Sequence, residues 1–197
     1  IRNDLIKRLS NELSVSDILF GIAPRINAAG RIDHARKAVE VLIEQDYIKA
    51  KKLAQFIDLN NIKRKELEAE TTREAIDMLD KTKNTNVVFH SNWHKGVIGI
   101  VASRLIESHY RPTIVFAEKD GLLTGSARSI NNFNLYESLL KCSYLCEKFG
   151  GHKYAAGLTI KKENLEKFII EFEKIVSEKI TREQLQPNIA IDMEINI

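Results

Sequence analysis

The sequence predicts an α/β protein: a mixed sheet flanked by helices, preceded by a helical segment and a long connecting helix. Three observations lead there. Short apolar runs such as Val87–Phe89 and Thr113–Ala117 alternate with helical patterns. Residues 1–45 carry helical spacing alone, and the stretch from Tyr47 to about Lys81 contains neither Gly nor Pro. The 197 residues, 44% hydrophobic and 29% charged, exclude a disordered tail and a collagen-like repeat. No apolar run approaches the roughly 18 residues that span a bilayer, so no membrane partner is expected.

In chain order, Leu5, Leu9 and Leu13 predict a first helix over 1–13. Ser14 or Ser16 caps a second, in which Pro24 demands a kink or a break. Gly30 is expected to stop it. A third helix covers about 33–45, with Val39, Leu42 and Ile43 on one face, and Asp33-His34 read as its cap and neighbour. From Tyr47 a helix of some 35 residues would be about 52 Å long. Leu53, Phe56, Ile57 and Leu59 give it an apolar stripe. Its middle, Lys63 to Glu74, is almost wholly polar, which suits a helix crossing solvent. The alternative is a break at Asn60-Asn61.

The second body opens with a strand at 87–89, a helix over 97–109 and a strand entered through Pro112. A turn at Gly121 leads to a strand over 122–129. Asn134 is expected to cap a helix running to Lys148, which Gly150-Gly151 end. Residues 155–160 form a strand and 163–180 an amphipathic helix. After Pro187 the alternation in IAIDMEINI is a strand pattern. Cys142 and Cys146, four apart in that expected helix, would share a face as core residues. Two cysteines make no disulfide framework, and with no leader pattern a cytoplasmic setting is expected. The chain opens at Ile1 without Met and reads as a fragment of a longer protein.

Four clusters mix glycine, small residues and polar groups. Pro24 to Arg31 places Arg25, Asn27 and Arg31 around small side chains. A guanidinium fork suits phosphate, but the same pattern serves a tight helix contact with surface arginines. In Gly125 to Ser129, Ser126 and Arg128 share a strand face and together could hold a phosphate, or simply face solvent. Gly150, Gly151 and His152 could form an anion-binding nest, or a helix stop with a surface histidine. Trp93 to Gly96 precede a helix whose N-terminus could attract an anion, with Gly99 and Ala102 narrowing its face. No cluster of aspartates has metal-ligand character.

Taken in order, PRINAAGR (24–31), WHKGVIGIVASRL (93–105), GSARS (125–129) and GGHKYAAGL (150–158) resemble the RecJ family of single-strand-specific exonucleases, within the DHH phosphoesterases. The resemblance implies that 1–46 ends a DHH domain, 47–82 is the connecting helix, 83–182 is a DHHA1-type domain and 187–197 begins an OB-fold. It implies 5′ to 3′ degradation of single-stranded DNA in recombination and repair, with Mn²⁺ or Mg²⁺ in the full-length enzyme. Two such ions would activate water and stabilise the leaving oxygen. The family's Asp and His ligands are absent here, so the fragment is expected to bind no metal and to lack catalysis alone. What the chain retains is substrate binding: Ser126 and Arg128 at a 5′ phosphate, Arg25, Asn27 and Arg31 in a motif facing a cleft, and Gly150, Gly151 and His152 over the scissile region. Lys95 departs from the proline common there. Other readings are a DHHA1 domain of an oligonucleotide or cyclic-dinucleotide phosphodiesterase, and a stand-alone nucleic-acid-binding module. Single-stranded DNA is the expected partner, with repair proteins possible.

The net charge of +3 argues weakly against nucleic acid until it is divided. Residues 86–160 carry 8 basic and 5 acidic groups, and residues 161–197 carry 6 and 8. The positive charge sits with the motifs.

Overall fold

The computed structural model describes residues 14–188 and Met193. The helix expected over 1–13 and the strand expected after Pro187 lie outside the described residues. The chain divides into two compact units, one up to Glu70 and one from Thr71 onward.

In the first unit, Ser14 begins the helical chain through a reciprocal cap. Its Oγ accepts from Asp17 N at 3.1 Å, while its own N–H donates to the Asp17 carboxylate at 3.0 Å. A π-helical segment, Asp17–Ile22, runs directly into α1 (Ala23–Ile32). Pro24 sits at that junction. A proline ring crowds the carbonyl four residues back and offers no N–H, and the widened π turn is how the helix absorbs it. Gly30 does not stop α1, which continues to Ile32 and ends where Asp33 turns out of helical geometry. A Cβ at Gly30 would lie 3.4 Å from Ala35 Cβ, an ordinary van der Waals contact.

Helix α2 (Arg36–Ile43) is shorter than expected. It buries Ala38 and Val41, whereas Val39, Leu42 and Ile43 are exposed. Asp33 caps the end of α1 rather than the start of α2, and pairs with Lys37 at 3.7 Å. Helix α3 (Tyr47–Asp77) is continuous, with no break at Asn60-Asn61. Ala54 and Ile57 join the core of Ala29, Ala38 and Val41, while Leu59 is exposed. The polar middle is not uniformly solvated. Asn61, Thr71 and Ala75 are buried at helical spacing, and Arg64 pairs along the helix with Glu68 and Asn61.

The second unit is built on one sheet of five strands: β1 (Asn86–His90), β2 (Thr113–Lys119), β3 (Leu122–Arg128), β4 (Cys146–His152) and β5 (Ala155–Lys161). Their order is β1-β2-β3-β5-β4, parallel between β1 and β2 and antiparallel elsewhere. Helix α4 (Ile98–Ser108) crosses between the parallel strands and packs on β2 and β3. Helices α5 (Leu135–Lys141) and α6 (Leu165–Lys179) complete the unit. Phe168 of α6 is the centre of the core. It meets Phe116 edge-on at 5.7 Å and stacks on Phe172 at 5.8 Å.

Two expectations fail near α5. Asn134 does cap the helix, its side chain accepting from Glu137 N. The helix nevertheless ends at Lys141, and after one 3₁₀ turn the chain enters β4. The turn and the β5 pairing outweigh the helical spacing of the local sequence. Cys142 and Cys146 therefore share no helical face. Cys142 is buried in the core, where desolvation pushes its thiol up to about 12. Cys146 begins the strand.

A polar cluster closes the start of the sheet. Buried Asn86 donates through Nδ2 to His109 O and to Thr113 Oγ1, both at 2.9 Å, and its Oδ1 accepts from His109 Nδ1–H at 2.7 Å. Burial, then the nearby Arg111 and Lys81, lower the His109 pKa from its ordinary value. No helix among the described residues is long and apolar enough to cross a membrane.

Phe168→Ala should destabilise the chain by about 3–5 kcal/mol in urea unfolding. His109 titrates with the opposite sign to a paired histidine. Its folded-state pKa lies below the unfolded one, so the stability it contributes is present above about pH 6.5 and drains as pH falls toward the folded value. The urea midpoint should drop between pH 7.5 and 5.5, and drop less in His109→Gln.

Candidate nucleic-acid interface

Strand register places the predicted residues. A residue and its direct partner on an antiparallel neighbour point to the same face. Ser126 of β3 stands opposite Gly157 of β5, which stands opposite Gly150 of β4. The next row is Arg128, Ala155 and His152. The row on the other side is Thr124, Thr159 and Lys148. Helix α4 covers the β2 side of this face, and the β5–β4 side is open. A depression lined by Thr124, Lys148, Gly150, Gly157 and Thr159 continues along the strands toward Lys119, Asp120, Leu122 and Glu147.

The chemistry of this face suits an anion. Its three rows carry hydroxyls on Thr124, Ser126 and Thr159, cations on Arg128 and Lys148, one imidazole, and no carboxylate. Arg128 Nη1 donates to Ser126 Oγ at 3.2 Å and to Ala127 O at 2.8 Å. This pins the guanidinium beside the hydroxyl, with both half-buried. His152 ends β4 at a two-residue hairpin, and its Nδ1 accepts from Tyr154 N at 3.3 Å. The hairpin is tied to the body where Ser129 N donates to Tyr154 O and Leu135 N donates to Lys153 O.

Gly151 is a different case from its neighbour. It points to the core side, opposite Ala156, with φ +154°. A Cβ there would lie 2.3 Å from Ala155 O. The glycine pair is extended strand, so the expected nest does not form: a nest needs consecutive amides in a turn. At Gly150 and Gly157 a Cβ would meet nothing within 4 Å.

The loop before α4 is held by Trp93, buried, whose Nε1–H donates to Glu74 Oε2 at 2.7 Å. His94 Nδ1 accepts from Gly96 N at 3.0 Å. Lys95 is exposed. Gly99 and Ala102 do allow close packing: Ala102 is fully buried, and Gly99 faces Ser126 and Arg128.

Arg25, Asn27 and Arg31 belong to the first unit. Arg25 is engaged, its Nε donating to Asp58 Oδ1 at 2.7 Å and its Nη1 to Gly21 O at 2.8 Å. Asn27 and Arg31 are exposed and one turn apart on α1, while Ala28 and Ala29 between them are buried. Thus the small residues make the tight helix contact and the polar ones stay outside it. Among the described residues, no three His, Cys, Asp or Glu side chains converge to hold a metal ion.

Sequence reasoning missed Thr124, Lys148 and Thr159, and read Gly99 only as a close-packing residue. The alternation Thr124-Ser126-Arg128 could have found the first hydroxyl. The others enter only through strand pairing or helix packing.

Comparisons with known proteins bear on the fold and the family. Residues 82–178 match the family model of the DHHA1 domain. The chain is 39% identical over 187 residues to the single-stranded-DNA-specific exonuclease RecJ of Bacillus subtilis, covering 92% of this chain and 24% of that protein. The crystal structure of RecJ in complex with Mg²⁺ from Thermus thermophilus matches with TM-score 0.77 and 33% identity, covering 82% of this chain and 26% of that one. A crystal structure of exonuclease RecJ bound to manganese matches with TM-score 0.77 and 30% identity, covering 87% and 45%. The chain thus spans about a quarter of the length of the Bacillus relative.

Gly151→Ala should cost about 3 kcal/mol or more, because a Cβ meets backbone at a left-handed φ. Gly157→Ala should change stability by less than about 1 kcal/mol. Thermal unfolding of the two variants side by side checks the contrast.

Proposed function

The chain belongs to the RecJ family, and from that premise we propose that it is the substrate-holding portion of a single-stranded-DNA-specific exonuclease, whose β3–β5–β4 face receives the terminal phosphate of the strand. The observation that carries this reading is the Arg128–Ser126 pair at 3.2 Å, set among three strand rows of hydroxyls, cations and glycine. A guanidinium fork beside a hydroxyl offers several donors to non-bridging phosphate oxygens and neutralises their charge. Held by its end, the strand is positioned for attack on the next linkage, which is how an exonuclease measures one nucleotide. His152 stands in the same row as Arg128 and can donate to an adjacent phosphate. The open face beyond β5 leaves room for a nucleotide that is not paired to a second strand.

The whole protein is read as acting 5′ to 3′ in recombination and repair, in the cytoplasm, with Mn²⁺ or Mg²⁺. We read the ligands of such ions as lying outside this chain, as the resemblance implies. The relatives' names favour this reading over an oligonucleotide or cyclic-dinucleotide phosphodiesterase.

In the full-length protein, Arg128→Ala should reduce the preference for 5′-phosphorylated over 5′-hydroxyl single strands by about ten-fold or more, the scale of one charge-assisted hydrogen bond. Ser126→Ala should do so more weakly. Turnover of end-labelled oligonucleotides measures both. An unchanged preference in both variants refutes the phosphate assignment.

A further inference from the structure

Five glycines lie along these strands and in the first turn of α4, and their surroundings separate them. At Gly125 a Cβ would meet the buried Phe116 ring at 2.5 Å, and at Gly151 it would meet backbone at 2.3 Å. The fold itself requires those two, because neither obstacle can yield. At Gly150 and Gly157 there is open space. Gly99 resembles neither group. Its Cβ would stand 3.0 Å from Arg128 Nη2 and 3.0 Å from Ser126 Oγ. Both atoms are the movable ends of side chains, so the fold could accept alanine by displacing them. The phosphate pair could not.

Glycine is also the poorer choice for the helix. Gly99 lies in the first turn of α4, a helix buried at Ile98, Val101, Ala102 and Leu105. Alanine there would favour helix formation.

We propose that Gly99 is a positioning residue for substrate binding. By leaving the first turn of α4 bare, it lets the Arg128 guanidinium lie against the helix in hydrogen-bond contact with Ser126, which sets the donor geometry for the terminal phosphate. This rests on the phosphate reading above. A Cβ at 99 moves both donors by several tenths of an ångström and opens the 3.2 Å bond between them. Misplacements on the order of 1 Å cost up to about a hundred-fold in productive binding.

The test uses the full-length protein. Gly99→Ala should lower the preference for 5′-phosphorylated over 5′-hydroxyl single strands by about ten-fold, mainly through KM, and weaken inhibition by inorganic phosphate. Its melting temperature should be unchanged or higher. In the double variant Gly99→Ala/Ser126→Gly one of the two crowded atoms is gone, so the combined loss should be less than the product of the separate losses. A retained preference in Gly99→Ala overturns the proposal. A lowered melting temperature does so too, since α4 would then have shifted off the sheet, and so do losses that multiply. Arg128→Ala separates the two levels. If it also keeps the preference, the phosphate reading falls and this inference with it. If it loses the preference while Gly99→Ala keeps it, only this inference falls.

Discussion

The pairing of β5 with β3 on one side and β4 on the other governs the chemistry of this chain. Side chains alternate between faces along a strand, so a slip of one residue would send Ser126 and Arg128 into the core and bring Ala127 out. Two steric fits lock the register. Gly125 lies beneath the Phe116 ring, and Gly151 is pressed against the backbone at Ala155 and Ala156. With the register set, residues about thirty apart in sequence fall into rows: Ser126 with Gly157 and Gly150, and Arg128 with Ala155 and His152.

The two faces of the sheet then take different roles. One is sealed by Phe168, Phe172 and the apolar residues of β2, β3 and β5. The other is half-covered, because α4 packs on β2 and β3 and leaves β5 and β4 bare. A sheet of this kind can present a row of polar groups without burying an unpaired one. The edge strand β4 is stripped of bulk at Gly150, and that keeps the face flat where a sugar and phosphate would approach. The modest charge of the whole chain is consistent with this arrangement, since residues 86–160 are the basic part. In the function proposed above, local donors rather than a broad field carry the anion recognition.

How much was legible depended on how local each signal is. The cap at Asn134, the buried strand Thr113–Ala117 and the amphipathic face of α6 were all readable, because each is written within a few residues. Ser126 and Arg128 were readable as a pair for the same reason. Residues 142–152 were misread as helix followed by a glycine stop. Their helical spacing is real, but β5 offers hydrogen-bonding partners and a place in the sheet, and that pairing wins. Gly30 was misread as a terminator because glycine is common just past a helix end, whereas here the helix runs on to Ile32. Val39, Leu42 and Ile43 share a face by periodicity, but that face is exposed, and the unit buries the smaller Ala38 and Val41.

By itself the sequence determined the alternation of helix and strand, the long helical stretch free of Gly and Pro, and the residue types able to hold a phosphate. Propensity, capping and periodicity act over a few residues and need no partner. The tertiary structure alone decided that Gly150 and His152 share a face with Ser126 and Arg128, that Gly151 belongs to the core side, and that Gly99 lies against the arginine. Those facts are set by strand register and by a helix resting on a sheet. Both depend on contacts between segments far apart in the chain, where the identity of one residue carries no information about which residue it will face.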